Sequence, residues 1–173
     1  SVDVAQFRLQ PIQTATSADT AAFTAATTVP SSPAFGVSVT FSVGESDLNA
    51  LKSDVSLATE LGSSYLIATA AGAFDMNNNA LTAIVGSSGL LAANFTADST
   101  APTIRTFSLN MHTEELTISF SEVVNATSVA LGSGPTGPVQ VRNTADGQIG
   151  DAVYAITSAT TGTGPLQTLV FAL

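Results

Sequence analysis

The chain has 173 residues, of which 45% are apolar and 10% charged, with a formal net charge of −9. That is enough apolar material for one large or two small cores. The acidic balance provides no basic patch for phosphates, which argues against nucleic acid and anionic lipid as partners. Without a single Cys there is no disulfide framework, and no apolar run reaches the 18 or so residues that a membrane helix requires, so no membrane insertion is expected.

Val2 to Thr14 reads as an edge strand, with Phe7, Leu9 and Ile12 inward around the break at Pro11. Residues 15 to 28 carry small side chains around one aromatic anchor, Phe23, and Pro30 and Pro33 predict a turn. Val37, Val39, Phe41 and Val43 then alternate at period two, which predicts the clearest strand of the first half, Phe35 to Val43. Beyond Gly44 the period lengthens. Leu48, Leu51, Val55, Ala58 and Leu61 fall three or four apart, so a helix is predicted, with Ser46 or Asp47 as its N-cap and Gly62 just past its end.

Tyr65 to Ala70 predicts a further strand, followed by a turn at Asp75-Met-Asn-Asn-Asn79, where Asn accepts left-handed backbone and Asp bonds its own downstream amides. Leu81 to Val85 and Leu90 to Phe95 are predicted strands separated by Gly86-Ser-Ser-Gly89. After the Asp98-Ser-Thr-Ala-Pro102 connector, Ile104, Phe107 and Leu109 alternate imperfectly, whereas Leu116, Ile118 and Phe120 alternate strictly. Asn110 to Glu114 supplies the hairpin between them. Gly132 to Pro138 predicts a loop, Val139 to Arg142 a strand, Asp146-Gly147 a turn, Val153 to Thr157 a strand, and Leu169, Phe171 and Leu173 the start of another.

The chain also repeats itself. Val37-Ser-Val-Thr-Phe41 aligns with Gln167-Thr-Leu-Val-Phe171 at an offset of about 130 residues, and Ser1-Val2 aligns with Ser128-Val129 at nearly the same offset. On this reading residues 1–98 are the C-terminal part of one unit and residues 99–173 the N-terminal part of the next. A single permuted sandwich is the alternative, since Val/Phe strands resemble one another readily.

Three motifs together resemble the bacterial Ig-like repeat of the surface-layer and adhesin type, and similar repeats in surface proteins of marine microbes. They are the connector Asp98-Ser-Thr-Ala-Pro102, the strand Leu116-Thr-Ile-Ser-Phe-Ser-Glu-Val-Val124, and the turn Asp75-Met-Asn-Asn-Asn-Ala-Leu81. The chain departs from that pattern by placing Asn78 where the family has Gly and by inserting a helix after Ser46. The resemblance implies an all-β, Ig-like β-sandwich with one short inserted helix, serving as a structural or adhesive module and not as an enzyme.

Few residues carry chemistry. His112, the sole histidine, stands in the predicted hairpin beside Glu114 and Glu115, and adjacent strand carboxylates point to opposite faces, so they make no acid/base pair. Asp75, Asn77 and Asn79 match the opening of a calcium loop, but Ala80 and Gly86 stand where its Gly and bidentate Glu belong, which favours an Asx turn. Asp98 and Glu122 resemble the acidic groups that hold calcium between tandem sandwich modules. No cofactor is expected, and calcium at Asp75, Asn77, Asn79, Asp98 and Glu122 is the one ion the sequence leaves open. Asn94-Phe-Thr and Asn125-Ala-Thr are glycosylation sequons.

About a quarter of the residues are Ser or Thr, a bias shared with secreted, β-rich surface repeats. The expected role is therefore an extracellular or cell-surface repeat module of a surface layer, fibre or appendage, with other copies of the same repeat protein as partners in a homo-polymer. A carbohydrate-binding accessory domain is the alternative, disfavoured by the absence of Trp. Because each half lacks strands the other half carries, the missing strands are expected from a neighbouring copy, joined head to tail, or from further polypeptide of the same repeat protein.

Overall fold

The computed structural model describes residues 2–15, 20–29, 36–126, 139–142, 153–155 and 165–172. The chain divides into two compact units, Ser1–Ser99 and Thr100–Leu173. Both are built from antiparallel strands, and the first carries one α-helix. Among the described residues no helix is long and apolar enough to cross a membrane.

In the first unit, β1 (Phe7–Gln10), β2 (Ala21–Ala22), β3 (Tyr65–Ala68) and β4 (Leu90–Leu91) form a sheet in the order β2-β1-β3-β4. β1 is thus central, paired on both sides, and not the edge strand that Pro11 suggests. Proline bars only the ladder position it occupies, and the strand ends one residue before it. Phe41 meets Phe7 and Phe23 edge-on, with ring centroids 5.0 and 6.0 Å away, while Phe23, Leu57 and Ala68 are buried. Edge-to-face rings of this kind add to the burial term through their quadrupoles.

The helix α1 (Glu45–Ser53) is shorter than its apolar spacing predicts and starts from Gly44 instead of Ser46 or Asp47. A Cβ on Gly44 would lie 2.2 Å from the Ala26 carbonyl oxygen, so the N-cap is chosen by space. The helix stops because the Asp54 carboxylate takes the Ser56 amide and hydroxyl, at 2.9 and 2.7 Å, a local turn that competes with another helical hydrogen bond. Val55 is left exposed, and Ala58 adopts a left-handed φ of 52°.

Two predicted strands are absent. Leu81 to Val85 contributes a single bridge, Ile84 to Ala68, before the 3-10 turn Gly86–Ser88. Residues 36–43 make only the bridge Ser42–Thr28, and Val37 and Val39 are exposed. Alternation describes a face that wants covering, but a strand also needs a neighbouring backbone, and among the described residues none pairs with 36–41.

In the second unit, β5 (Ile104–Asn110), β6 (Glu115–Asn125) and β9 (Pro165–Ala172) form a sheet in the order β5-β6-β9, and β7 (Gln140–Arg142) pairs with β8 (Val153–Ala155). The β5–β6 hairpin forms as the alternation predicts. Asn110 Oδ1 accepts from the amides of His112 and Thr113, and Glu114 takes the left-handed φ of 57° that closes the turn. Facing pairs Leu116–Phe171 and Ile118–Leu169 make the buried core, against which Phe120, Val124, Val139 and Val141 pack. The predicted turns at Pro30–Pro33, Gly132–Pro138 and Asp146-Gly147 lie outside the described residues, as do Ser128-Val129 and Leu173.

Candidate functional site

Three polar arrangements are built in the first unit; those of Asp47 and Asp75 are satisfied, whereas Gln10 Oε1 is buried without a hydrogen-bond partner among the described residues. The Asp47 carboxylate on α1 is buried and accepts from the Thr24 amide (2.8 Å) and hydroxyl (2.7 Å) and from the Thr27 hydroxyl (2.6 Å). The Thr24 hydroxyl first, then that of Thr27, holds its carboxyl below the usual carboxylate range. This network ties α1 to the segment after β2 and leaves no proton to move at neutral pH. Neither Thr nor Asp carries a local signature of it, since the partners lie 20 and 23 residues apart.

Gln10 is fully buried, and its Nε2 lies 2.9, 2.8 and 3.0 Å from the carbonyl oxygens of Ile12, Gln13 and Gly86. An amide nitrogen has two hydrogens, so one is shared between two of the three acceptors. The side chain is a strut between the end of β1 and the turn that precedes β4.

Asp75 forms the expected Asx turn. Its Oδ1 accepts from the amides of Asn77 and Asn79, each at 2.8 Å, its Oδ2 accepts from Asn79 Nδ2 at 2.8 Å, and Asn78 has φ 62°. The Asn79 side chain, followed by its amide, holds the Asp75 carboxyl below its usual range. Asp98 forms an ion pair with Lys52 at 2.6 Å, in the last turn of α1. Glu122 lies half-buried on β6, within the stretch where the β6–β9 register shifts, between Ser119 and Val124. Among the described residues no three His, Cys, Asp or Glu side chains gather as a metal site would require. The sequon residues Asn94 and Asn125 are both exposed. His112 is exposed in the hairpin turn, where its backbone amide donates to Asn110 Oδ1.

The chain matches no family model, no curated protein and no solved structure. Its own geometry therefore carries the functional reading.

What that geometry offers is an open edge. Among the described residues β5 is the outer strand of its sheet, and all seven of its residues are exposed. Phe107 stands opposite Ile118 and Leu109 opposite Leu116, so these side chains share the face that carries the core. Ile104 joins them opposite Phe120, across a register irregularity between Ile104 and Thr106. The core is closed under β6 and β9 and uncovered under β5, where Phe107 is 66% exposed and Ile104 61%. An outer strand this long and apolar is a template for further pairing. The imperfect alternation of β5 marks it as a strand, but only the sheet order shows that it is an edge.

Proposed function

We propose that this chain is a structural or adhesive module of an extracellular repeat protein, an Ig-like sandwich unit that assembles head to tail in a surface layer, fibre or appendage. The observation that carries this reading is the exposed apolar edge of β5. Its outward backbone groups and its stripe of Ile104, Phe107 and Leu109 suit a strand supplied by a neighbour. A contact between unlike surfaces of successive copies propagates as a filament unless rotation closes it into a ring. The Ser/Thr-rich composition and the sparse charge support a role in packing and length. The repeat offset of about 130 residues supports an array of such units.

Sedimentation velocity over a wide concentration range tests the reading. The native chain should form a concentration-dependent series of larger species, and Phe107→Lys, placed on an exposed position, should shift the distribution to monomer. Assembly unaffected by Phe107→Lys would remove β5 as the contact.

A further inference from the structure

Residues 37–41 carry a strand-like apolar alternation without forming a strand, and the molecule contains a paired counterpart of the pattern in β9. Their backbone makes no hydrogen bond to any described residue, although the bridge of Ser42 to Thr28 follows at once. Val37 is fully exposed and Val39 is 44% exposed, while Phe41, on the same side at period two, is anchored between Phe7 and Phe23. A five-residue segment with apolar alternation, no charge and no backbone hydrogen bond to a described residue leaves its polar groups to solvent. Its apolar side gains nothing there.

The repeat places Val37, Val39 and Phe41 in correspondence with Gln167, Leu169 and Phe171 of β9. In β9 the same pattern is fully paired: Phe171 faces Leu116 and Leu169 faces Ile118 on β6, and all four are buried. The difference between the two copies of the pattern is the presence of a β6 alongside.

We infer that residues 37–41 are a docking segment for a β6-type strand, one that alternates apolar residues and ends Phe-Ser-Glu, presented by another repeat of the same kind whose own β9 position is vacant, since β6 here is paired on both sides. Transferring the β9 register places Phe41 opposite the incoming equivalent of Leu116 and Val39 opposite that of Ile118. The incoming apolar side chains then extend the Phe7–Phe23–Phe41 cluster, and the ladder satisfies the free amides and carbonyls of 37–41. A register slip by one residue would turn Val39 away from that cluster, so pairing is selective for this alignment.

The inference rests on the proposed role as an assembling repeat, and it is tested on the full chain with a synthetic peptide of residues 104–125, whose β6 edge is not covered by β9. Binding is read by fluorescence anisotropy and located by amide hydrogen exchange. The expected result is saturable binding with slowed exchange at Val37, Val39 and Phe41, weakened about tenfold or more by Val39→Asp, an exposed site where the introduced carboxylate would be buried in the pair. Absence of binding, slowed exchange at 104–110 in place of 37–41, or equal affinity of Val39→Asp would overturn it. Self-association of the same samples without peptide is recorded in parallel. Assembly that persists in the absence of peptide binding would reject the docking segment alone, whereas peptide binding by a chain that stays monomeric would support the segment and reject assembly through β5.

Discussion

The Gln10 strut gives the sharpest test of how the first unit is held. Gln10→Leu keeps the volume and removes the donor from three carbonyls that lie within 3.0 Å of it. The Gly86 oxygen still accepts from the Ala15 amide at 3.1 Å and the Gln13 oxygen from the Gly89 amide at 2.9 Å. Ile12 keeps no such substitute among the described hydrogen bonds, so its carbonyl bears the main penalty. One stranded carbonyl and two weakened bonds cost about 2–4 kcal/mol, reduced to about 1–3 kcal/mol because the substitution also removes Gln10 Oε1, a buried acceptor with no partner among the described residues. Gln10→Glu replaces the donor with a carboxylate facing three oxygens, and the loss at neutral pH should be larger, about 3–5 kcal/mol.

Burial and the facing carbonyls raise the folded-state pKa of that new carboxyl above its unfolded value of about 4.3. The folded state therefore binds the proton more tightly, and the deficit should be smallest below pH 4 and grow as pH rises through the folded pKa. Urea titrations followed by far-UV circular dichroism at pH 4 and pH 8 measure both effects, as shifts of midpoint at constant slope. A Gln10→Leu loss under 0.5 kcal/mol, or a Gln10→Glu deficit equal at both pH values, would refute the strut.

In the second unit, Phe171→Ala empties the centre of the β6–β9 core, where Phe171 is 1% exposed, and should cost about 3–5 kcal/mol by urea unfolding. Glu114→Gly relieves the left-handed φ of 57° in the β5–β6 turn and should raise stability by about 1 kcal/mol, read as a higher thermal midpoint. The Asp47 carboxyl titrates below its unfolded range because of Thr24 and Thr27, so its contribution is present above pH 4 or so and is lost as pH falls through the folded value. Thr27→Val should narrow that acid dependence, measured as thermal midpoint against pH from 2 to 6 or thereabouts.

The sequence reveals most where partners are near neighbours. β5, its turn and β6 are legible because strict alternation on either side of Asn110–Glu114 names both strands and their pairing. The Asp75 turn is legible because all its bonds lie within four residues. Position in a sheet is not local. Pro11 suggests an edge, yet the Phe7–Gln10 strand is central, and the cleanest alternation of the first half, Val37 to Val43, pairs with no described residue except through Ser42.

The helix period continues through Val55 and Ala58 while the helix ends at Ser53, because a short Asp–Ser turn outcompetes one more helical turn with no core beneath Val55. Gln10 and Asp47 escape the sequence for a different reason. Buried polar residues are recognised by their partners, and Gly86 lies 76 residues from Gln10. Of the candidate ion ligands, Asp75 with Asn77 and Asn79 can be placed together from sequence alone. The Lys52 partner of Asp98 cannot, since the helix end and the connector meet only in the fold.

The measurement that bears most directly on an assembling repeat with open strands is amide hydrogen exchange of the full chain at dilute and at high concentration. The account predicts that exchange slows on concentration at residues 104–110 of β5, while the β6–β9 core, already closed, stays unchanged. Exchange at β5 that is fast and identical at both concentrations, with the chain monomeric throughout, would contradict it.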